Sequence, residues 1–350
     1  MKSILLSLIG SFISLIPVVA QQTDTTQNLQ IYKLGEVLIS SPKASETLNV
    51  QTAQEQTLKD VSSAIDLMPS VTFALSGSRN ETGVYVKGFD MRSIPVFVDG
   101  VPMYVPYDGS IDLGRFKIWD YSKIDVTSGL SPMAYGANTM GGAINLVSKK
   151  PVYPFEVQAQ ASLESGKEYS YGLQLGSKLK KFYFQAAFNR QQQDYFNLSK
   201  NYKRISRNED GGARENSWFE DQSFNLKAGF TPNSTDEYSL NYSYLNSARG
   251  VAPYAGTDPL MKTRFWQWPV WKKQNLYYVG KTHWGKKTVV KSLLSYNKFD
   301  NTLKSFNDSL YTLQTKPYAF TSYYDDYALY GGMVMTTKIN AKNTLNFSIH

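Results

Sequence analysis

The sequence predicts an antiparallel membrane β-barrel, incomplete here with about nine strands, preceded by a small α+β domain. Three observations predict this architecture. The chain opens on an export leader, its second half alternates apolar and polar residues at period two, and the connections between those alternating segments switch between short and long.

Residues 1–20, "MKSILLSLIGSFISLIPVVA", carry a basic Lys2, an apolar stretch from Ile4 to Ile16 and small residues before Gln21. That is the layout of a secretory signal peptide cleaved after Ala20. The apolar run is shorter than the ~20 residues of a spanning helix and is interrupted by Gly10 and Pro17. Residues 21–57 read as a polar linker that contains a β-prone segment at 34–41, "LGEVLISS".

Composition narrows the chemistry. Cysteine is absent, which removes disulfides, thiolate nucleophiles and cysteine metal sites. The two histidines, His283 and His350, are too few for a histidine metal cluster or triad. The net charge of +8 is spread along the chain without a basic arm, so no nucleic-acid partner is expected. Neither a catalytic residue, a metal centre nor a cofactor is expected.

Residues 58–151 form the small α+β domain. In "LKDVSSAIDLMPSV" the residues Leu58, Val61, Ile65 and Leu67 or Met68 share a helical face, and Pro69 ends the helix. Two β-rich runs follow in "GVYVKGFDMRSIPVFVDGVPMY", with a turn at Asp99-Gly100. A loop, "VPYDGSIDLGRF", leads to the strand "KIDVTSG" and then to "SGLSPMAYGANTMGGAINLVSKKP", which holds Gly129, Gly136, Gly141 and Gly142. A phosphate-binding loop would need a lysine after the second glycine of its motif, whereas Gly142 and Ala143 follow Gly141. The stretch is therefore a tight turn feeding the strand "AINLVS".

From residue 152 to 350 the alternation takes over. Phe155, Val157, Ala159, Ala161 and Leu163 share one face, as do Phe182, Phe184, Ala186 and Phe188. The same holds for Phe224, Leu226, Ala228 and Phe230, and for Tyr238, Leu240, Tyr242 and Tyr244. Short turns such as "KLKK", "TPNSTDE", "GKK" and "NAKN" alternate with long connections around Asp194 to Trp218, Ser247 to Lys273 and Asn301 to Thr321. One short-turn rim and one long-loop rim is the pattern of a membrane meander. The 25 tyrosines and 18 phenylalanines, crowded at strand ends, fit interfacial girdles.

"VYVKGFDMRSIPVFVDGVPMY" together with "YSKIDVTSGLSPMAYGANTMGGAINLVSKKP" resembles the plug domain of TonB-dependent outer-membrane receptors. The residues carrying the resemblance include Lys87, Gly88, Asp99, Gly100, Gly129, Tyr135, Gly136, Gly141 and Gly142. Lys87 stands where the family usually has arginine, which keeps the charge without the bidentate geometry. The resemblance implies a location in the outer membrane of a Gram-negative bacterium, in contact with its lipid. It also implies a TonB box at 34–41, where Glu36, Val37, Leu38, Ile39 and Ser40 would add as a strand to TonB.

The implied function is energy-coupled import of a scarce ligand by displacement of the plug. Aromatics beside cations suit a ferric siderophore, and the ligand contacts expected are Arg92, Tyr104, Tyr107, Arg249, Trp266 and Trp268. Trp271, with Lys272 and Lys273 beside it, fits a membrane girdle at least as well. A cobalamin or other nutrient receptor of the same family, and a barrel-anchored adhesin or signalling protein, remain alternatives. Barrels of this family have about twenty-two strands, so the chain is expected to be an N-terminal fragment.

Overall fold

The computed structural model describes residues 45–350, apart from 77–80, 104, 106–108, 110, 130–134, 137 and 341–342. The expected signal peptide, the segment at 34–41, Tyr104 and Tyr107 lie outside the described residues.

The inner domain is a five-stranded sheet with two short helices. Its strands are β1 (Ser45–Asn49), β4 (Val96–Val98), β5 (Val101–Pro102), β6 (Tyr121–Ser128) and β7 (Gly142–Ser148), in the order β1-β6-β7-β4-β5. Only β4 and β7 pair in parallel; β2 (Val71–Ser76) and β3 (Glu81–Val86) form a separate hairpin. Residues ahead of Leu58 also join this sheet: β1 pairs with β6 from Ser45↔Thr127 to Asn49↔Lys123. Its polar sequence, SETLN, is partly exposed and carries no apolar alternation, which is why it reads as linker.

Helix α1 (Val50–Glu55) starts where the Asn49 side chain accepts from the Gln51 N–H at 3.0 Å. Helix α2 (Val61–Ile65) starts where Asp60 accepts from the Ser63 N–H at 2.9 Å. The expected face is the buried one, with Val61, Ala64, Ile65 and Met68 in the core and Leu67 exposed. They join Ile94, Leu113, Ile118, Ile124, Ile144 and Leu146, each burial worth about 1.5–3 kcal/mol.

The outer layer is a nine-stranded antiparallel sheet in strict chain order. It comprises β8 (Glu156–Glu164), β9 (Glu168–Lys178), β10 (Phe182–Gln193), β11 (Phe219–Phe230) and β12 (Glu237–Val251), then β13 (Phe265–Trp284), β14 (Thr288–Phe306), β15 (Thr321–Lys338) and β16 (Thr344–Ile349). Connections 179–181, 231–236, 285–287 and 339–343 are short, whereas 194–218, 252–264 and 307–320 are long. From β10 on the two kinds alternate and so lie on opposite rims, as expected, whereas the short turn 165–167 lies on the long-loop rim.

Polarity across this sheet is inverted relative to a soluble fold. Leu173, Leu226, Leu240, Leu276 and Leu294 are exposed on one face, while Asn189, Ser223, Asn241, Asn275 and Asn297 are buried on the other. A soluble sandwich would bury the leucines. A membrane barrel turns them to lipid and keeps its polar face for the interior, here occupied by the inner domain.

Candidate functional site

The chemistry of the molecule is concentrated where the inner domain meets the polar face of the sheet. Asp112 opens a 3-10 turn, Leu113–Arg115, by accepting from the Gly114 N–H at 3.1 Å, and this turn aims Arg115 at the sheet. Arg115 is fully buried; its Nε donates to Asp112 Oδ2 at 3.0 Å and its Nη1 to Ser247 Oγ at 2.7 Å. Its guanidinium also lies 4.8 Å from the Trp271 ring, a desolvated cation–π contact.

Two residues on, Lys117 donates to Gln191 Oε1 at 2.6 Å and to Asp221 Oδ2 at 2.9 Å. Ser247 donates to Asp221 as well, and Arg249 reaches Asp112 at 3.1 Å and Asp221 at 3.4 Å. Burial pushes Arg115 down to about 10, and the nearby charge of Arg249 pushes the same way; Asp112, Asp221 and Glu81 oppose both.

A second joint is built by the Asp99-Gly100 turn. Asp99 sits at φ +53 and Gly100 at φ +82, and Gly100 donates to Asn145 Oδ1 at 3.0 Å. The buried Asp99 carboxylate accepts from the Ser148 N–H at 2.9 Å and from Tyr277 Oη at 3.0 Å, with Lys227 Nζ at 3.3 Å. One turn of the inner domain thereby holds β11 and β13.

Two further joints come from Lys150, just after β7, and Asp120, just before β6. Lys150 pairs with Glu237 at 2.6 Å and lies over the Tyr183 ring, whose hydroxyl donates to the same carboxylate at 2.8 Å. Asp120 accepts from Asn189 Nδ2 at 2.8 Å and from Ser223 Oγ at 3.3 Å. Burial pushes Asp120 up to about 6 and Lys149 down to about 8. A cavity of about 60 Å³ lies between these joints, lined in part by Arg115, Lys117, Asp120, Lys227 and Lys273.

The structure distributes the expected site residues differently. Lys87 is exposed in a turn at φ +49, followed by Gly88 at φ +86, and makes no ion pair among the described residues. Charged links to the sheet come instead from Lys59, Asp99, Asp112, Lys117 and Lys150. Gly129 and Gly136 have positive φ, Gly141 packs under Phe89, and the buried Tyr135 packs against Phe97 at 4.5 Å with the rings tilted by 43°. Gly142, at φ +134, lies so close to the Thr127 carbonyl that any Cβ would collide with it.

Arg92 is exposed and paired with Asp90 at 2.5 Å. Arg249 turns inward on β12, where it pairs with Asp112 and Asp221. Trp266 and Trp268 are buried with Val251 and Leu303, and Arg264 lies 4.5 Å over the Trp266 ring. Trp271 is a correction to the girdle expectation, being only 4 % exposed and packed edge-on against Phe299 at 5.1 Å. The cause is an irregularity at Pro269: Trp268 pairs with Arg249 but Trp271 with Ser247, so one extra residue switches the face. In the loop 194–218, Glu209, Asp210 and Glu215 converge, but Arg214 already occupies the Glu209 carboxylate at 2.5 Å.

Comparison with known proteins agrees with this arrangement. Residues 37–143 match the family model described as the TonB-dependent Receptor Plug Domain. The ferric aerobactin receptor of Klebsiella pneumoniae is 28% identical over 165 residues, 44% of this chain and 21% of that protein. The vitamin B12 transporter BtuB of Photobacterium profundum is 26% identical over 115 residues, 33% of this chain and 19% of that protein. In fold, the siderophore receptor PiuA from Acinetobacter baumannii superposes with a TM-score of 0.65 at 14% identity, covering 88% of this chain and 44% of that one.

An α+β domain seated on the polar face of an antiparallel sheet defines the class: residues 37–143 match the plug domain of TonB-dependent receptors, and the fold as a whole is similar to the plug and part of the β-barrel of such receptors. The matched relatives are receptors and transporters, not enzymes. The chain spans about a fifth of the length of those curated relatives.

Proposed function

We propose that this protein imports a ferric siderophore across the outer membrane of a Gram-negative bacterium, with TonB supplying the force that moves the plug. The observation that carries the reading is the seam itself. Lys117–Asp221, Arg249–Asp112, Lys227–Asp99 and Lys150–Glu237 join plug and sheet through ion pairs lined by further polar groups. The polar bonds of this seam exchange for water when it opens, while Leu245, Trp271 and Phe299 pack with the apolar core of the plug beside them.

Coupling is assigned to Glu36–Ser40, whose β-branched Val37 and Ile39 suit strand addition, at the start of the matched family region. Ligand contacts are assigned to Arg92, Tyr104 and Tyr107 on the plug and to the Arg264–Trp266 pair beside the long loops. The similarity to a vitamin B12 transporter supports a second reading, a cobalamin receptor.

A deletion strain carrying the gene on a plasmid decides between them. Radiolabelled iron supplied as ferric hydroxamate or ferric catecholate, and labelled cyanocobalamin, are offered separately. Restoration of iron accumulation alone supports the first reading, and restoration of cobalamin alone supports the second. Restoration of neither overturns both.

A further inference from the structure

The cavity of about 60 Å³ between plug and sheet has a wall of mostly one charge. Arg115, Lys117 and Lys149 of the plug and Lys227 and Lys273 of the sheet line it, against a single lining carboxylate, Asp120. Arg115, Lys117 and Lys273 are buried, so water does little to screen them. Much of the remaining wall is apolar, with Val98, Phe116, Ala187 and Leu245 all buried.

Ion pairs do not use up this charge. Lys227 has Asp99 and Lys149 lies in the field of Asp120. By direct contact, however, Asp112 and Asp221 serve three cations, because Arg115 is on Asp112, Lys117 is on Asp221 and Arg249 is on both. The fully buried Arg115 also keeps its Nη2 without an acceptor among the described residues. A buried donor left this way is costly, and more so on a charged group.

Water would supply an acceptor but no charge, whereas an anion supplies both. Few donors reach the cavity, which suits a small singly charged ion and not a phosphate dianion, whose burial demands many hydrogen bonds. The volume leaves room for water beside the ion. Such water would donate to Asn241 Oδ1 and Gln185 Oε1, which belong to lining residues and have no donor among the described residues.

We propose that this cavity is a chloride site, and that the bound ion helps to seat the plug by bridging Arg115 to Lys273 on β13. The ion is resident, so the proposal holds whichever ligand the protein imports.

The purified full-length protein is crystallised with sodium bromide in place of sodium chloride, and anomalous scattering is recorded at the bromine edge. A peak within reach of Arg115 Nη2 and Lys273 Nζ is expected. Melting of the plug is also followed by calorimetry in sodium chloride and in sodium gluconate at one ionic strength, gluconate being too large to enter. The site predicts a rise of about 5 °C per tenfold increase in chloride, absent in gluconate. K273Q is expected to abolish both the peak and the chloride dependence, and K203Q, which removes an exposed charge from a long loop, to keep them. Water density without an anomalous peak overturns the proposal, as does a K273Q variant with full chloride dependence. A bromide peak with equal melting in the two salts means an ion bound at crystal concentration only, and overturns it too. If K273Q fails to fold, the peak and the salt comparison in the wild type decide alone.

Discussion

Lys117 Nζ lies 2.9 Å from Asp221 Oδ2, both side chains almost wholly buried, and this pair joins the plug to the fourth strand of the barrel sheet. Removal of one partner from a buried pair costs about 3–5 kcal/mol, because the other charge stays behind in a poor solvent. Lys117→Met is therefore expected to accelerate hydrogen exchange of plug amides on 111–128. The double variant K117M/D221N is expected to be milder than the sum of its parts, with a coupling of about 1–3 kcal/mol. Additive effects in the cycle would mean that the two charges do not interact.

Arg115 and Trp271 form a second dependency. Trp271→Ala removes a buried aromatic and uncovers a guanidinium that is fully buried, so a loss of about 3–5 kcal/mol is expected in denaturant unfolding. Trp271→Phe keeps a ring over Arg115 and is expected to lose less than half as much. Were Trp271 a lipid-facing girdle residue, the two substitutions would cost little and about equally.

Asp120 and Lys149 set a pH dependence of opposite slopes. The carboxyl of Asp120 is pushed up to about 6 by burial, so the folded plug binds its proton more tightly than the unfolded chain. The resulting penalty is fully present above about pH 6 and is relieved as pH falls toward the ordinary value of 3.8. Lys149, pushed down to about 8, is penalised below that pH, and the penalty is relieved as pH rises toward 10.5. Melting of the plug at a series of pH values is expected to show a gain between 6 and 4 that Asp120→Asn abolishes.

Gly142 tests the backbone of the hairpin between β6 and β7. Gly142→Ala adds a methyl where the Thr127 carbonyl already sits, at a φ of +134 that L-residues avoid. A destabilisation above about 2 kcal/mol and reduced surface abundance are expected. Gly88→Ala, where no atom lies within 4 Å, meets only the left-handed φ and is expected to cost about 1 kcal/mol.

The alternation of leucine with asparagine along β11 to β14 was legible because its period is a property of single strands. So were α2 and the Asp99-Gly100 turn, each signalled by local residue chemistry. The partners of Asp99 were not legible, since Lys227 and Tyr277 are brought to it only by sheet register. Arg115, Lys117, Asp221 and Ser247 left one faint signal, charged or hydroxyl residues where a strand or loop points inward. Trp271 was ambiguous because the extra residue at Pro269 reverses the face, and the count along a strand cannot reveal a bulge.

Energy-coupled import is tested most directly by comparing ligand binding with accumulation in cells whose segment at 36–40 is broken. Val37→Pro and Leu38→Pro remove backbone donors and block strand addition. With radiolabelled ferric siderophore, the expected result is unchanged binding at the cell surface and accumulation reduced to the level of the deletion strain. Accumulation at the wild-type rate, with equal surface abundance, would contradict import by TonB-driven movement of the plug.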